Sequence, residues 1–257
     1  MSEYLKSVVS GKMPEPLKTV SIGRGGMGKT SLMASINEIP KRKVLILDAD
    51  RGTSEIDVDR VGIHGMNYDQ VVDGLLVELG KTDHGYTDLA FDSADTLQPM
   101  VYQKVCDDQG ATHIETVGGG FGKGYAHAKS LWEKILTYCD RLREVKKMHI
   151  HFTCHATVRT VQDPLIEPYD EITMDLDKRA NGLLSHWADA VILCAMDTTV
   201  VKKTGDFGKT RNTAHLGERI GICHPKAGAA VKNRFGIDKE FPLKFKDFWD
   251  LVDASRN

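Results

Sequence analysis

Hydrophobic spacing changes period repeatedly along this chain, and each change marks an element. LKTVSI (17–22) is a short β-type run that leads into glycines, and TSLMASI (30–36) opens a helix. KVLILDAD (43–50) is a continuous apolar run ending in acids, the pattern of a strand buried on both faces of a parallel sheet. Val71, Leu75, Leu76 and Leu79 form one stripe and predict a helix over 67–81; TDLAFDSAD (87–95) is a third strand that again ends in acids. The glycine cluster VGGGFGKGYAHA (117–128) is too flexible for an element interior, and an amphipathic helix follows through Leu131, Ile135, Leu136, Tyr138, Cys139 and Leu142. MHIHFTCH (148–155) predicts a fourth strand and ADAVILCAM (188–196) a fifth. Between them lie an irregular acidic loop over 156–178, with Pro164 and Pro168, and a helix near 179–187.

The stretch 199–235 predicts two or three strands around a basic turn, VKKTGDFGKTRN (201–212), and DFWDLVDA is a short amphipathic turn of helix. Strands alternating with helices imply an α/β fold, a mostly parallel sheet joined by right-handed crossovers. The expected organisation is an N-terminal arm (1–16), one core (17–243) and a C-terminal tail (244–257).

Composition narrows the function classes. No apolar run approaches the ~20 residues of a membrane-spanning helix, and the first residues do not form a signal peptide. The five cysteines are scattered without a C-x-x-C pair, which points to reduced thiols in the cytoplasm. The net charge of -2 lacks the basic excess of a dedicated nucleic-acid binder, so any DNA contact must come from local patches or repeated loops.

The chemistry concentrates in one motif. Gly23, Arg24, Gly25, Gly26, Met27, Gly28, Lys29 and Thr30 match G-x-x-x-x-G-K-[ST] in full, after a strand and before a helix, with Ser31 next in line. Glycines let successive N–H groups turn inward around phosphates, and the helix N-terminus adds partial positive charge. Lys29 is expected to reach the β- and γ-phosphates of ATP, and Thr30 to hold Mg²⁺. Asp92, after LAF, is the expected second metal residue. Asp48 and Asp50 end the neighbouring strand, and Asp50 is the candidate base for the attacking water. His149, His151 and His155 share a strand face, but their spacing is not a usual zinc pattern. The 118–124 glycines are not a dinucleotide fingerprint, because no strand leads into them.

Locally, RGGMGKT followed by LDAD resembles the ParA/MinD branch of P-loop proteins, although Arg24 stands where that branch has its signature lysine. Over more of the chain the sequence resembles the RecA branch. LILDAD and LAFDSAD match two of its strands, HFTCH ends where that branch carries a γ-phosphate sensor, and KNRFG (232–236) is similar to a RadA-branch signature. The ordered set of P-loop, DADRGTSEID, LAFDSAD, GFGKGY, HFTCHATV, WADAVIL and AVKNRFGI, from Leu17 to Leu243, resembles phage RecA-core ATP-binding proteins that include the Sak-four type single-strand annealing recombinases.

That resemblance implies a RecA-like core with C-terminal antiparallel strands and an ATPase that binds single-stranded DNA as a ring or filament. It further implies annealing or recombination in phage DNA metabolism beside a phage single-stranded DNA-binding protein. It places His155 at the γ-phosphate and sends Lys232 and Arg234 to a neighbouring subunit's nucleotide; where RecA proteins carry glutamate, this chain has Asp50. By order along the chain, the DNA loops are 117–125, with Phe121 and Lys123, and 156–180, with Arg159, Lys178 and Arg179. The second loop also carries Asp163, Glu167, Asp170, Glu171, Asp175 and Asp177, a net negative set that repels a phosphate backbone. Lys202, Lys203, Lys209 and Arg211 make a stronger basic patch. The rival class is a nucleotide-dependent switch that acts on a protein partner with little hydrolysis.

Overall fold

A computed structural model describes residues 7–204 and 210–256. Eight strands form a continuous path, β10-β8-β7-β1-β5-β4-β2-β3. In chain order the parallel set is β1 (Lys18–Gly23), β2 (Val44–Asp48), β3 (Asp59–Gly62), β4 (Asp88–Asp92), β5 (His149–Val161) and β7 (Ala190–Thr204). β8 (Thr210–Ile222) and β10 (Phe241–Pro242) close one edge antiparallel, while β6 (Tyr169–Met174) pairs with β5 and β9 (Lys232–Asn233) with β7. The expected α/β class, a mostly parallel sheet with flanking helices and C-terminal antiparallel strands, is the one observed.

Period-two alternation divides the core into two layers. Leu45, Leu47, Leu89, Phe91, Ile150 and Phe152 point to the face covered by α2 (Leu76–Lys81), α3 (Ala94–Gln109), α4 (Lys123–Lys146) and α5 (Lys178–Trp187). Phe91 and Phe152 stack there with centroids 4.4 Å apart. Val44, Ile46, Ala90 and Ile192 face the opposite layer, where α1 (Lys29–Ala34) and α6 (Phe245–Arg256) pack. The tail is thus a twelve-residue helix rather than a short turn. Its Phe245, Phe248 and Val252 are fully buried, each stabilising the fold by ~1.5–3 kcal/mol relative to exposure.

Other elements differ from the sequence pattern. Residues 156–174 are not an irregular loop but an antiparallel hairpin, in which Ala156 pairs with Met174 and Val161 with Tyr169. β-branched Thr157, Val158, Thr160, Val161, Ile172 and Thr173 suit strands, and both prolines sit at the turn outside the ladder. The segment 67–81 begins as a π-helical turn, Gln70–Leu75, before α2. α4 starts at Lys123, so half of the glycine cluster is helical. Lys209 of the basic turn lies outside the described residues, as do the side chains of Lys202, Lys203 and Arg211.

Candidate nucleotide site

The loop from Gly23 to Gly28 joins the carboxyl end of β1 to α1, and its shape depends on particular glycines. A Cβ at Gly23 would lie 2.8 Å from the Cys194 carbonyl oxygen, and Gly26 and Gly28 take φ of 76° and 91°, a region costly for residues with a side chain. Lys29 is buried, and its ammonium donates to the Gly23 and Arg24 carbonyls at 3.0 and 3.3 Å. Thr30, one residue on, donates its hydroxyl to Asp92 Oδ2 at 2.7 Å.

Asp92 closes β4 two strands away, because β5 inserts between β1 and β4. Thr153 of β5 donates to the other oxygen of Asp92. Burial, with the charges of Asp50 and Asp48 adding, raises the Asp92 carboxyl above its ordinary value, and the two threonine bonds oppose that shift. The hydroxyl of Thr30 beside a carboxylate is a hard-oxygen pair, the donor chemistry that Mg²⁺ takes.

The two acids after β2 part company. Asp48 is buried and accepts from the Gly52 and Thr53 amides at 3.2 Å and from the Thr53 hydroxyl, so it ties down the 49–53 turn. Burial opposes its ionisation, yet these bonds hold the carboxyl below the usual range. Asp50 is exposed and accepts from Ser93 Oγ at 2.9 Å. Of the pair, only Asp50 faces the cleft, which is lined by Gly26, Lys29, Thr30, Asp92, His155 and Arg219 among others.

Asp95 orients His155 at two points. The His155 amide donates to Oδ1 at 2.8 Å, and ring Nδ1 lies 2.7 Å from Oδ2. A carboxylate at that distance accepts a hydrogen bond from Nδ1–H and so sets the tautomer. Burial works against Asp95 ionising, but the bonds from His155 outweigh it and keep the carboxyl below its ordinary value. The other strand histidines serve elsewhere. His151 lies between Thr19 Oγ1 (2.8 Å) and Asp88 Oδ1 (2.9 Å), and His149 Nδ1 accepts the Leu17 amide. Thr19–His151–Asp88 has the order of a nucleophile–base–acid triad, yet all three side chains are wholly buried and no substrate reaches them. Arg42 completes this network on Asp88, so it is an internal brace.

Four residues of the site escape sequence reading. Thr153 and Ser93 sit inside recognised strings, where alternation from His151 to His155 could have marked Thr153. Asp95 ends the noted DSAD. Arg219 of β8 had no signal: its guanidinium donates to the Gly26 carbonyl at 3.1 Å, a contact spanning 193 residues.

The remaining candidates fall in two other places. Lys232 and Arg234 are at the amino end of the sheet, where Lys232 pairs with Val191 and Arg234 binds Asp189 at 3.2 Å. Ala190 is level with Thr19 at the start of β1, so the strand puts them roughly 13 Å from the Gly23 end. The structure therefore does not bring them to their own chain's P-loop. The candidate DNA residues do converge. Arg159 donates to the Leu176 carbonyl just before α5, where Asp177 caps the Arg179 amide at 2.9 Å. Arg179 reaches over Tyr125 and lies against Gly122, and Lys123 Nζ donates to the Gly118 carbonyl at 2.9 Å. Phe121, at φ 55°, projects fully into solvent from this cluster, while Lys178 begins α5 next to Arg179.

A phosphate-shaped loop, a lysine at its end, and a threonine–aspartate pair at the carboxyl edge of a parallel sheet define a P-loop ATPase. A family described as AAA domain matches residues 15–235, and the chain belongs to that family. No curated protein matches it. Among solved structures it is similar to a RadB recombinase, with 10% identity, a TM-score of 0.42, and coverage of 91% of this chain and 90% of that one. It is also similar to the P4 protein from bacteriophage phi6 in complex with ADP, with 14% identity, a TM-score of 0.32, and coverage of 83% and 68%. At such identities neither likeness transfers a residue's role. No helix among the described residues is long and apolar enough to cross a membrane.

Proposed function

We propose that the chain hydrolyses ATP while bound, as an oligomer, to single-stranded DNA, and promotes annealing or recombination in phage DNA metabolism beside a phage single-stranded DNA-binding protein. The observation that carries the DNA half of this reading is the convergence of two segments far apart in sequence. Exposed Phe121 with Lys123, and Arg159 with Lys178 and Arg179, meet on one surface. An exposed ring among cations offers both a stacking platform and phosphate contacts.

For the chemistry, the loop amides and Lys29 hold and orient the phosphates. Asp50, steadied by the Ser93 hydroxyl, accepts the proton of the attacking water. His155, its ring fixed by Asp95, is the γ-phosphate sensor. Thr30 and Asp92 would hold Mg²⁺, which would supply neutralisation of phosphate charge. Lys232 and Arg234, remote from their own P-loop, act on the nucleotide of a neighbouring subunit.

The deciding experiment is ATP hydrolysis with and without single-stranded DNA, alongside Lys29→Ala. Stimulation that Lys29→Ala abolishes and Phe121→Ala with Lys123→Ala blunts is the expected result. Turnover indifferent to DNA would refute the coupled reading and leave a nucleotide switch for a protein partner, a role that the acidic residues between 163 and 177 favour.

A further inference from the structure

A cleft of about 580 Å³ lies at the end of the sheet opposite the P-loop. The arm before β1, the end of α4, the turn after β9 and the end of α6 enclose it. Its charged lining is Lys12, Lys18, Arg143, Arg234 and Arg256 against Glu15 and Asp189 alone. Lys232 adds a further cation beside Lys18 and Arg234, while Asp140 and Asp253 flank the group. A chain of net charge -2 thus gathers a local positive excess.

The hydrogen bonds of these cations leave that excess in place. Lys12 donates to the Ser255 carbonyl at 2.8 Å, Arg256 to the Glu15 carbonyl at 2.7 Å, and Arg143 to the Pro16 carbonyl at 2.9 and 2.7 Å. Arg143 also donates to Asp140 at 3.1 Å and lies 3.5 Å from Glu15, and Arg234 pairs with Asp189, so six cations meet the four carboxylates of Glu15, Asp140, Asp189 and Asp253. Lys232 lies 3.4 Å from the His186 carbonyl. A carbonyl satisfies a donor but does not neutralise its charge. The carboxylates are shared out: Asp189 also takes the Lys18 amide, and Asp140 also takes the Trp187 indole N–H. Lys18 stands 3.8 Å from Asp140, beyond hydrogen-bond reach. Burial and the neighbouring Arg234 and Lys18 charges all work against the charged form of Lys232. Phe235, over which the Arg256 guanidinium lies at 5.7 Å, adds an apolar wall.

We propose that this cleft is a second anion site, which takes phosphate groups in series from a nucleotide's polyphosphate or a nucleic-acid backbone. Lys12, Lys232 and Arg256, held in place by carbonyls, are preorganised for such a ligand: an arriving phosphate relieves the mutual repulsion of the group without having to displace a carboxylate from these three. The volume suits a ligand of nucleotide size. The site is separate from the P-loop, and the inference holds whether or not the chain works on DNA.

The test uses the full-length protein carrying Lys29→Ala and titrates inorganic tripolyphosphate calorimetrically at low salt. Saturable binding is expected, and adding K18Q and R256Q weakens it by about tenfold, the loss of two charge-assisted contacts. K12E, on the exposed arm, weakens it as well, and decides the matter should the K18Q/R256Q protein fail to fold by circular dichroism. A fluorescent oligodeoxythymidine on the K18Q/R256Q protein identifies the source: weakened binding points to the backbone, and unchanged binding with lost tripolyphosphate affinity points to free polyphosphate. Absence of saturable tripolyphosphate binding, or binding that these substitutions leave intact, overturns the proposal.

Discussion

Replacing Gly124 by alanine tests whether the loop that presents Phe121 is held by backbone contact. Gly124 is buried in the first turn of α4 with helical dihedrals, so propensity alone favours alanine by ~1 kcal/mol. Its ideal Cβ, however, would stand 2.0 Å from the Ile114 carbonyl oxygen and 3.0 Å from Ile114 Cδ1. An ordinary C···O approach is ~3.3 Å, so the gap is roughly 1.3 Å short. The obstructing atom is main chain and cannot rotate aside. Overpacking of this kind costs ~1–3 kcal/mol, and a fixed obstacle puts it at the upper end, leaving a net loss of about 2 kcal/mol. Gly182 in α5 is the control: a Cβ there meets nothing within 4 Å. Gly182→Ala should therefore stabilise by ~0.5–1 kcal/mol. Urea unfolding measures both, and in a chain this long Gly124→Ala should lower Tm by about 4–8 °C. Displacing Ile114–Gly119 also moves the Gly118 carbonyl that anchors Lys123, so single-stranded DNA affinity should fall with stability. A Gly124→Ala protein as stable as the wild type, with Gly182→Ala behaving as expected, would refute the steric reasoning.

Asp92→Asn should unfold at a higher temperature than the wild type while losing ATP hydrolysis. An aspartate whose carboxyl is raised by burial costs stability while ionised at neutral pH, and the amide removes that cost, a gain of about 1 kcal/mol; thermal melts and phosphate release give the two readouts, and a lower Tm would count against this assignment. Acid sensitivity should come from the β5 histidines. Burial, with the Arg42 charge adding, pushes His149 down to about 3 from 6.5. Below pH 6.5 the unfolded chain therefore takes a proton that the folded chain refuses, and stability falls as pH drops. The slope reaches up to ~1.4 kcal/mol per pH unit per histidine, and buried His151, also lowered, adds to it. Between pH 6.5 and 4.5, His149→Asn should reduce the slope of urea-unfolding free energy by about one proton; an unchanged slope would refute the assignment.

The legible parts of the site are those whose chemistry is written within a few consecutive residues. Lys29, Thr30 and Asp92 could be named because each sits in a string that sets its place at a strand end, and the 2.7 Å Thr30–Asp92 bond joins two such strings. Alternation alone does not separate Asp48 from Asp50, since period two aims both the same way; the family resemblance selects Asp50. The difference lies in Gly52 and Thr53, which fold back on Asp48 alone. The 156–174 hairpin was hidden by its acids and two prolines, although outward acids are tolerated where only one face is covered. β3 is two charged residues in four, DRVG, with little apolar signal. α3 holds Leu97, Val101, Val105 and Cys106 on one face, but Pro99 within it obscures the pattern.

Net charge misleads for a related reason: it averages over a molecule whose parallel strands give it two unlike ends. The carboxyl end collects Asp48, Asp50, Asp92 and Asp95 around the P-loop. The amino end collects Lys12, Lys18, Arg143, Lys232, Arg234 and Arg256 against Glu15, Asp140, Asp189 and Asp253, a net positive set. At an ionic strength near 0.15 M charges are screened beyond ~8 Å, so a phosphate ligand at either end responds to the local set and not to the sum. The weakly acidic composition therefore does not weigh against a polyanion partner. A strand ~13 Å long separates surfaces of opposite character more completely than any linear reading of the sequence conveys. The same geometry puts KNRFG at the end of the molecule away from its own P-loop: in this fold, strand direction decides which end of the molecule a residue serves.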